Sequence, residues 1–345
     1  MERDSQALPD RFTDADELDE FLAHPSDALI HDLATVDGDI IVLGAGGKMG
    51  PTLARLARNA APDKRILAVA RFTEPAIRKQ LENCGIETTA CDLLDRLAVQ
   101  RLPRFANVVF MAGRKFGATA DQPLTWAINT YLPAIVAETF RSSRLVVFST
   151  GNVYPLTEIR QQGPTEDTPL NPVGEYAQSC LARERIFEHF SNVHGTAGRL
   201  FRLNYAIEMR YGVLCDIASR VMADEPLDVT MGYVNVIWQG DANAQALRCL
   251  KHCISPITPL NVSGPETLSI RWLAQEFGRR LGRAPVITGN EAPTALLTNS
   301  TQATRLFGYP RIPLGVMLDW VADWTARTMP IFGKPTKFEV RDGIF

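Results

Sequence analysis

With 345 residues, 46% of them hydrophobic and 22% charged, the chain has the material for one large or two modest folded domains with apolar cores. A formal net charge of -3 gives no electrostatic reason to expect nucleic acid or a membrane surface as partner. No apolar run reaches bilayer-spanning length, Met1-Glu2-Arg3-Asp4-Ser5 is polar rather than signal-like, and the scattered cysteines (Cys84, Cys91, Cys180, Cys215, Cys249, Cys253) fit reduced thiols, so a cytoplasmic location is expected.

Residues 1–38 carry Leu18, Phe21 and Leu22, then Leu29, Ile30 and Leu33, which predicts two short amphipathic helices split near Pro25. This N-terminal helical extension shows no chemically suggestive group. The run Ile40-Ile41-Val42-Leu43-Gly44-Ala45-Gly46-Gly47-Lys48-Met49-Gly50 then reads as a buried strand turning sharply into a helix that continues Pro51-Thr52-Leu53-Ala54. Gly44 permits the turn, Gly47 lets a pyrophosphate approach the backbone, and Gly50 lets helix and strand pack closely, while amides at the helix start attract negative charge. The pattern is a dinucleotide-binding turn, with Gly44, Gly46, Gly47, Lys48, Met49 and Gly50 as the residues expected to hold the ligand.

Arg65–Ala70 reads as the second strand, and it runs into Arg71 where an acid would bind the ribose hydroxyls of NAD. A guanidinium there suits a 2'-phosphate, and Lys48 adds positive charge nearby, so NADP is favoured over NAD. A third strand over 86–93 ends at Asp92 and Leu93, and a fourth from Asn107 ends in the Ala112-Gly113 loop. A helix is predicted over 124–141, and a fifth strand at Leu145–Phe148 delivers Ser149-Thr150-Gly151-Asn152-Val153-Tyr154 to the same edge. Glu175-Tyr176-Ala177-Gln178-Ser179-Cys180 opens a helix running to about Phe190. The alternation predicts an α/β fold, a Rossmann-like doubly wound parallel sheet whose ligands lie beyond the carboxyl ends of the strands, with a smaller C-terminal substrate lobe. Cys249, His252 and Cys253 are the cluster that most suggests a metal, but without a second cluster at ligand spacing they read as a helix with buried thiols, and no metal site is expected.

The glycine turn, Asp92, Ala112-Gly113, the Ser149-Thr150-x-x-Val153-Tyr154 segment and Tyr176 resemble the extended short-chain dehydrogenases/reductases, the NAD-dependent epimerase/dehydratase family, from residue 39 onward. The resemblance implies NADP or NAD bound also at Asp92, Leu93, Ala112, Gly113 and Tyr176. It further implies Tyr176 as general acid/base, with Thr150 orienting the reacting oxygen, and Ser149, Asn152 and Asn204 against a small polar, sugar-like substrate. A homodimer formed through the 124–141 helix and the Tyr176 helix is implied as well. The expected organisation is a nucleotide domain at 39–204 rejoined by about 236–259, a lobe from 205–235 and 260–330, and a tail at 331–345 without readable signal. Val234–Asp241 resembles the family's strand returning to the nucleotide domain before another helix, and Asn261–Pro265 followed by Leu268–Arg271 its C-terminal segment.

One position departs from the family. A lysine four residues after the tyrosine is replaced by Cys180. A free phenol ionises near pH 10, and a neighbouring ammonium favours phenolate at lower pH, which a thiol cannot do. Arg183 lies one turn further on, about 10 Å of helix rise from the tyrosine, and reads as a surface or dimer-contact residue. Lys48 and Lys115 are candidates to reach the cofactor from loops. A tyrosine that donates a proton needs only its neutral form, so carbonyl reduction is expected to survive better than alcohol oxidation. Gly151-Asn152 stands where the family's dehydratases carry an acid pair, which argues against water elimination. Two readings follow: an NAD(P)-dependent oxidoreductase or epimerase, or an NAD(P)-binding sensor or structural protein without turnover.

Overall fold

The computed structural model describes residues 8–115 and 117–344, so the polar run Met1–Ser5 and Phe345 of the tail lie outside the described residues. Strands β1 (Ile40–Leu43), β2 (Ile66–Ala70), β3 (Glu87–Ala90), β4 (Asn107–Phe110), β5 (Arg144–Thr150), β6 (Gly198–Leu203) and β7 (Thr258–Val262) form a 7-stranded parallel sheet ordered β7-β6-β5-β4-β1-β2-β3. β1, β2 and β4 are buried on both faces, which is why they read as uninterrupted apolar runs. Strand order reverses between β1 and β4, so the crevice that a doubly wound sheet offers to ligands opens where their carboxyl ends diverge.

The helices are α1 (Ala15–Leu22), α2 (Asp27–Ala34), α3 (Gly50–Ala60), α4 (Pro75–Asn83), α5 (Arg96–Arg101), α6 (Gln122–Trp126), α7 (Leu132–Thr139), α8 (Gly174–His194), α9 (Val213–Met222), α10 (Gln239–Arg248), α11 (Ile270–Leu281), α12 (Thr301–Phe307) and α13 (Leu314–Ala326). Val42 and Val146 meet Leu53, Leu29 and Ala246 on one face of the sheet, while Ile41, Leu43 and Val147 meet Ile135 and Phe187 on the other, as the two-residue period of a strand requires. A separate core of Leu214, Ile217, Phe277, Trp320 and Trp324 holds the lobe of α9, α11 and α13. The N-terminal segment bridges the two: Leu29 and Leu33 of α2 enter the sheet core, and Phe12 ahead of α1 enters the lobe with Leu18 and Leu22.

Three features differ from the sequence reading. Thr258–Val262 is the edge strand β7, so residues 260–262 belong to the sheet rather than to the lobe; Pro259, which argues against a strand, is tolerated because an edge strand has a side that needs no donor. The Val234–Trp238 run does not return to the sheet. Tyr233–Val234 pairs with Leu268–Ser269 and Ile237–Trp238 with Ala206–Ile207 in separate small ribbons. The expected 124–141 helix is interrupted at Ala127–Tyr131 by a π-helical turn. Pro133 explains it: its missing N–H cannot bond the carbonyl of Asn129, and the ladder widens around the vacancy.

Asp241 on α10 is 7% exposed and accepts a bond from the Ile312 amide at 3.1 Å. Burial pushes its carboxyl up to about 6 despite that bond. The folded protein thus keeps a proton that the unfolded chain has released, so this group's contribution to stability is full below pH ~4 and is lost as pH rises through 6. Asp241→Asn is expected to stabilise the protein by about 2–3 kcal/mol at pH 7 and by almost nothing at pH 4, as read from urea midpoints of both proteins across that range.

Candidate active site

At the end of β1, Gly44 has φ +93°, and a Cβ there would lie 2.5 Å from the amide nitrogen of Ala112 at the end of β4. Glycine is therefore required both by the turn and by the approach of the two strand ends. A Cβ on Gly50 would run into the backbone carbonyl of Ala45, which ties the start of α3 to the turn. Gly47 is exposed, and the nearest atom to its absent Cβ is 3.6 Å away, so here the fold leaves open space above the backbone. The amides of Gly46 and Met49 donate to no carbonyl among the described residues, and no side chain caps α3. Free donors at a helix start, with bare backbone around them, suit a pyrophosphate.

The turn opens onto a groove of about 360 Å³ lined by Gly44, Gly46, Gly47, Arg71, Asp92, Leu93, Ala112 and Gly113, with Glu74 on the same rim. Lys48 does not join Arg71 there. Its Nζ stands over the ring of Tyr211, 2.7 Å from the centroid, facing the lobe; burial, with Lys115 and Lys334 nearby, pushes its ammonium down to about 6. A larger hollow of about 680 Å³ among Gln100, Arg104, Glu138 and Ser143 lies by the amino ends of β4 and β5 and contains none of these groups.

Thr150 closes β5, and its Oγ1 accepts from the Asn152 amide at 3.2 Å and donates to Asn152 Oδ1 at 2.9 Å. It also shares a hydrogen bond with Tyr176, so the two groups expected to touch the reacting oxygen are brought together. Burial drives the Tyr176 phenol well above its usual value, and Cys180 adds to this; Arg183 and the Thr150 bond oppose them. Cys180, also bonded to Tyr176, is itself pushed up by burial.

Arg183 is not a surface or dimer-contact residue. It is 5% exposed and donates to Phe148 O at 2.8 Å, to Asn129 Oδ1 at 2.7 Å and to Asn129 O at 3.4 Å, the carbonyl left free by Pro133. Helix α8 turns this face inward because Tyr176, Cys180, Arg183 and Phe187 recur at three- and four-residue spacing. Ser149, expected against substrate, donates instead to Glu184 Oε1 at 2.5 Å in a buried network with Arg202 and Tyr154. Asn204 is buried, and its Nδ2 has no hydrogen-bond partner among the described residues. Asn152 lines a cavity of about 20 Å³, room for one water, which Val340, Arg341 and Gly343 help to enclose.

Those last residues belong to a segment the sequence left unread. After α13 the chain bonds Arg210 O through Phe332 N, fixes Thr336 on Asp216 at 2.7 Å, buries Phe338 in the lobe core, and brings Gly343 against Gly174 at the start of α8. It straps the lobe to the helix carrying Tyr176. Asn129 was also missed, although an asparagine inside an apolar helix is a signal for a buried polar clamp.

The sequence profile of the family described as "NAD dependent epimerase/dehydratase family" matches residues 40–207. No curated protein matches the sequence. Among solved structures, the chain is similar to the UDP-glucose 4-epimerase of Thermus thermophilus in complex with NAD, at 16% identity and TM-score 0.70 over 83% of this chain and 98% of that one. It is equally similar to the UDP-glucuronic acid 4-epimerase of Bacillus cereus in complex with UDP-glucuronic acid and NAD, at 16% identity and TM-score 0.70 over 84% and 99%. Pal from Bacillus thuringiensis gives 16% identity and TM-score 0.70 over 84% and 99%. At these identities the likeness shows the fold. Among the described residues no helix is long and apolar enough to cross a membrane. Residues 40–207, which hold the glycine turn, Thr150 and Tyr176, match the NAD dependent epimerase/dehydratase family, and the chain shares the fold of the epimerases above.

Proposed function

We propose that the protein is an NAD(P)-dependent oxidoreductase or epimerase of the extended short-chain dehydrogenase type acting on a small polar, sugar-like substrate, with Tyr176 as general acid/base. The observation that carries this reading is the placement of a neutral phenol, bonded to Thr150, on the carboxyl edge that also presents the free amides of Gly46 and Met49. The dinucleotide, when bound, supplies or accepts the hydride. The backbone from Gly46 to Met49 holds its pyrophosphate, and the groove with Arg71, Asp92 and Leu93 receives its adenosine end. Thr150 orients the substrate oxygen, and Tyr176 gives it a proton. Because burial keeps the phenol protonated, carbonyl reduction is the favoured direction.

The substrate class rests on two supports. The relatives above are named as epimerases of UDP-glucose and UDP-glucuronic acid, and Asn204 carries a buried donor without a partner among the described residues beside Gly151. Admitting a sugar beside Asn152 requires the 340–343 segment to move aside. That closure favours the second reading, a dinucleotide-binding sensor without turnover. A homodimer through α6–α7 and α8, where Tyr131 is 52% exposed, completes the proposal; sedimentation at micromolar concentration tests it.

Fluorescence titration with NADPH and NADH, followed by a screen of carbonyl substrates, separates the two readings. Arg71 is exposed and makes no hydrogen bond or ion pair among the described residues, which supports NADP; Glu74 on the same rim opposes it. Wild type is expected to bind NADPH more tightly, and Arg71→Ala to lose about tenfold for NADPH with NADH unchanged. Stereospecific consumption of cofactor supports the enzyme, and binding without consumption supports the sensor.

A further inference from the structure

We propose that Lys115 is the cation that positions and polarises Tyr176, reaching it from the loop after β4 rather than from α8 itself. The proposal rests on the acid/base role given to Tyr176 above. Lys115 Nζ lies 5.9 Å from the centroid of the Tyr176 ring and donates to Thr336 O at 3.2 Å.

The loop that brings it there is fixed by residues of the site. Arg114, its neighbour, donates its amide to Asn129 Oδ1 at 2.9 Å, and its carbonyl accepts from Asn129 Nδ2 at 2.9 Å. Asn129 is held in turn by Ser179 Oγ at 2.9 Å and by Arg183 Nη2 at 2.7 Å, both on α8. The helix that carries the tyrosine thus also sets the backbone from which Lys115 departs. Cys180 completes the exchange: an uncharged side chain, where the family carries a lysine, spares the buried space beside Tyr176 a second ammonium.

The charged and titratable groups facing Lys115 are Tyr176 and Cys180 on α8, Asp216 on α9, Lys48 in the glycine turn and Lys337 in the C-terminal strap. Tyr176 also faces Arg183 on α8, whose charge already favours its phenolate and stays in place in every variant below. Burial lowers Lys115 to about 8, with Cys180 and Asp216 raising it and Lys337 lowering it further, so the amine remains mostly charged at pH 7. An ammonium held against the ring of a phenol favours its charged form, and displaces its ionisation by about one to two pH units where the phenol oxygen turns toward it.

A fluorinated tyrosine at position 176 of the full chain, whose phenol ionises well below that of tyrosine, reports the effect by fluorine NMR without cofactor or substrate. Lys115→Met is expected to move the titration midpoint up by about one to two pH units, and Lys115→Arg to leave it near wild type. Lys115→Met with Cys180→Lys is expected to restore the midpoint, because the ammonium has only changed elements. A residue that merely ties down Thr336 would not be rescued from α8. Lys115→Gln replaces the methionine variant if that does not fold. An unmoved midpoint in the uncharged variant overturns the proposal. Retained NADPH binding alongside that result leaves the functional reading intact, whereas loss of NADPH binding in wild type overturns that reading and not this one.

Discussion

Glu184→Ala is expected to destabilise the protein by about 3–5 kcal/mol, as the loss of one partner from a buried ion pair does. Glu184 is 0% and Arg202 2% exposed, and their bonds run from Nη2 to Oε2 at 2.7 Å and from Nε to Oε1 at 3.0 Å. Burial works against the Arg202 charge, and the Glu184 carboxylate more than reverses it, holding the guanidinium above its ordinary value. The same pair receives Ser149 from β5 and donates to Tyr154, which donates to Asn261 of β7 at 2.8 Å. Removing the carboxylate strands a guanidinium in the interior and loosens the strand end that presents Thr150. Replacing both residues with methionine is expected to cost less than the single change, because no unpaired charge remains. Urea unfolding of the two single variants and the double variant measures the coupling; a loss under about 1 kcal/mol for Glu184→Ala would mean that water reaches Arg202.

Gly44→Ala is the second large effect, expected to cost about 3 kcal/mol or more and to abolish dinucleotide binding. The strain of φ +93° adds to a Cβ set 2.5 Å from the Ala112 amide, and backbone on both sides cannot give way. Gly47→Ala supplies the contrast. With no neighbour closer than 3.6 Å, its new methyl group fits the folded chain, so the melting temperature is expected to stay near wild type while affinity falls at least tenfold. Equal thermal losses in the two variants would contradict the assignment of Gly44 to the fold and Gly47 to the ligand.

The parallel sheet was legible because β1, β2, β4 and β5 are buried on both faces and leave continuous apolar runs between glycine turns. Thr150 and Tyr176 were legible because a strand end and a helix start carried the family's spacing. Side-chain direction was not: Lys48 and Lys115 both sit on loops, and sequence spacing could not show that both turn from the groove beside Arg71 toward the lobe side. Arg183 was misplaced because charge suggested the surface, whereas Phe148 O, Asn129 Oδ1 and the carbonyl freed by Pro133 give a buried guanidinium its partners. The C-terminal strap was unread because its anchors are single contacts, a backbone bond from Phe332, a pair from Thr336 and one buried ring at Phe338.

Calorimetric titration of the full chain with NADPH and with NADH tests the dinucleotide nest most directly. The expected result is one-to-one binding, stronger for NADPH, with a stabilisation of about 2.7 kcal/mol at a hundredfold excess over Kd that disappears in Gly44→Ala. No heat with either nucleotide, and no change in melting temperature at saturating concentrations, would contradict it.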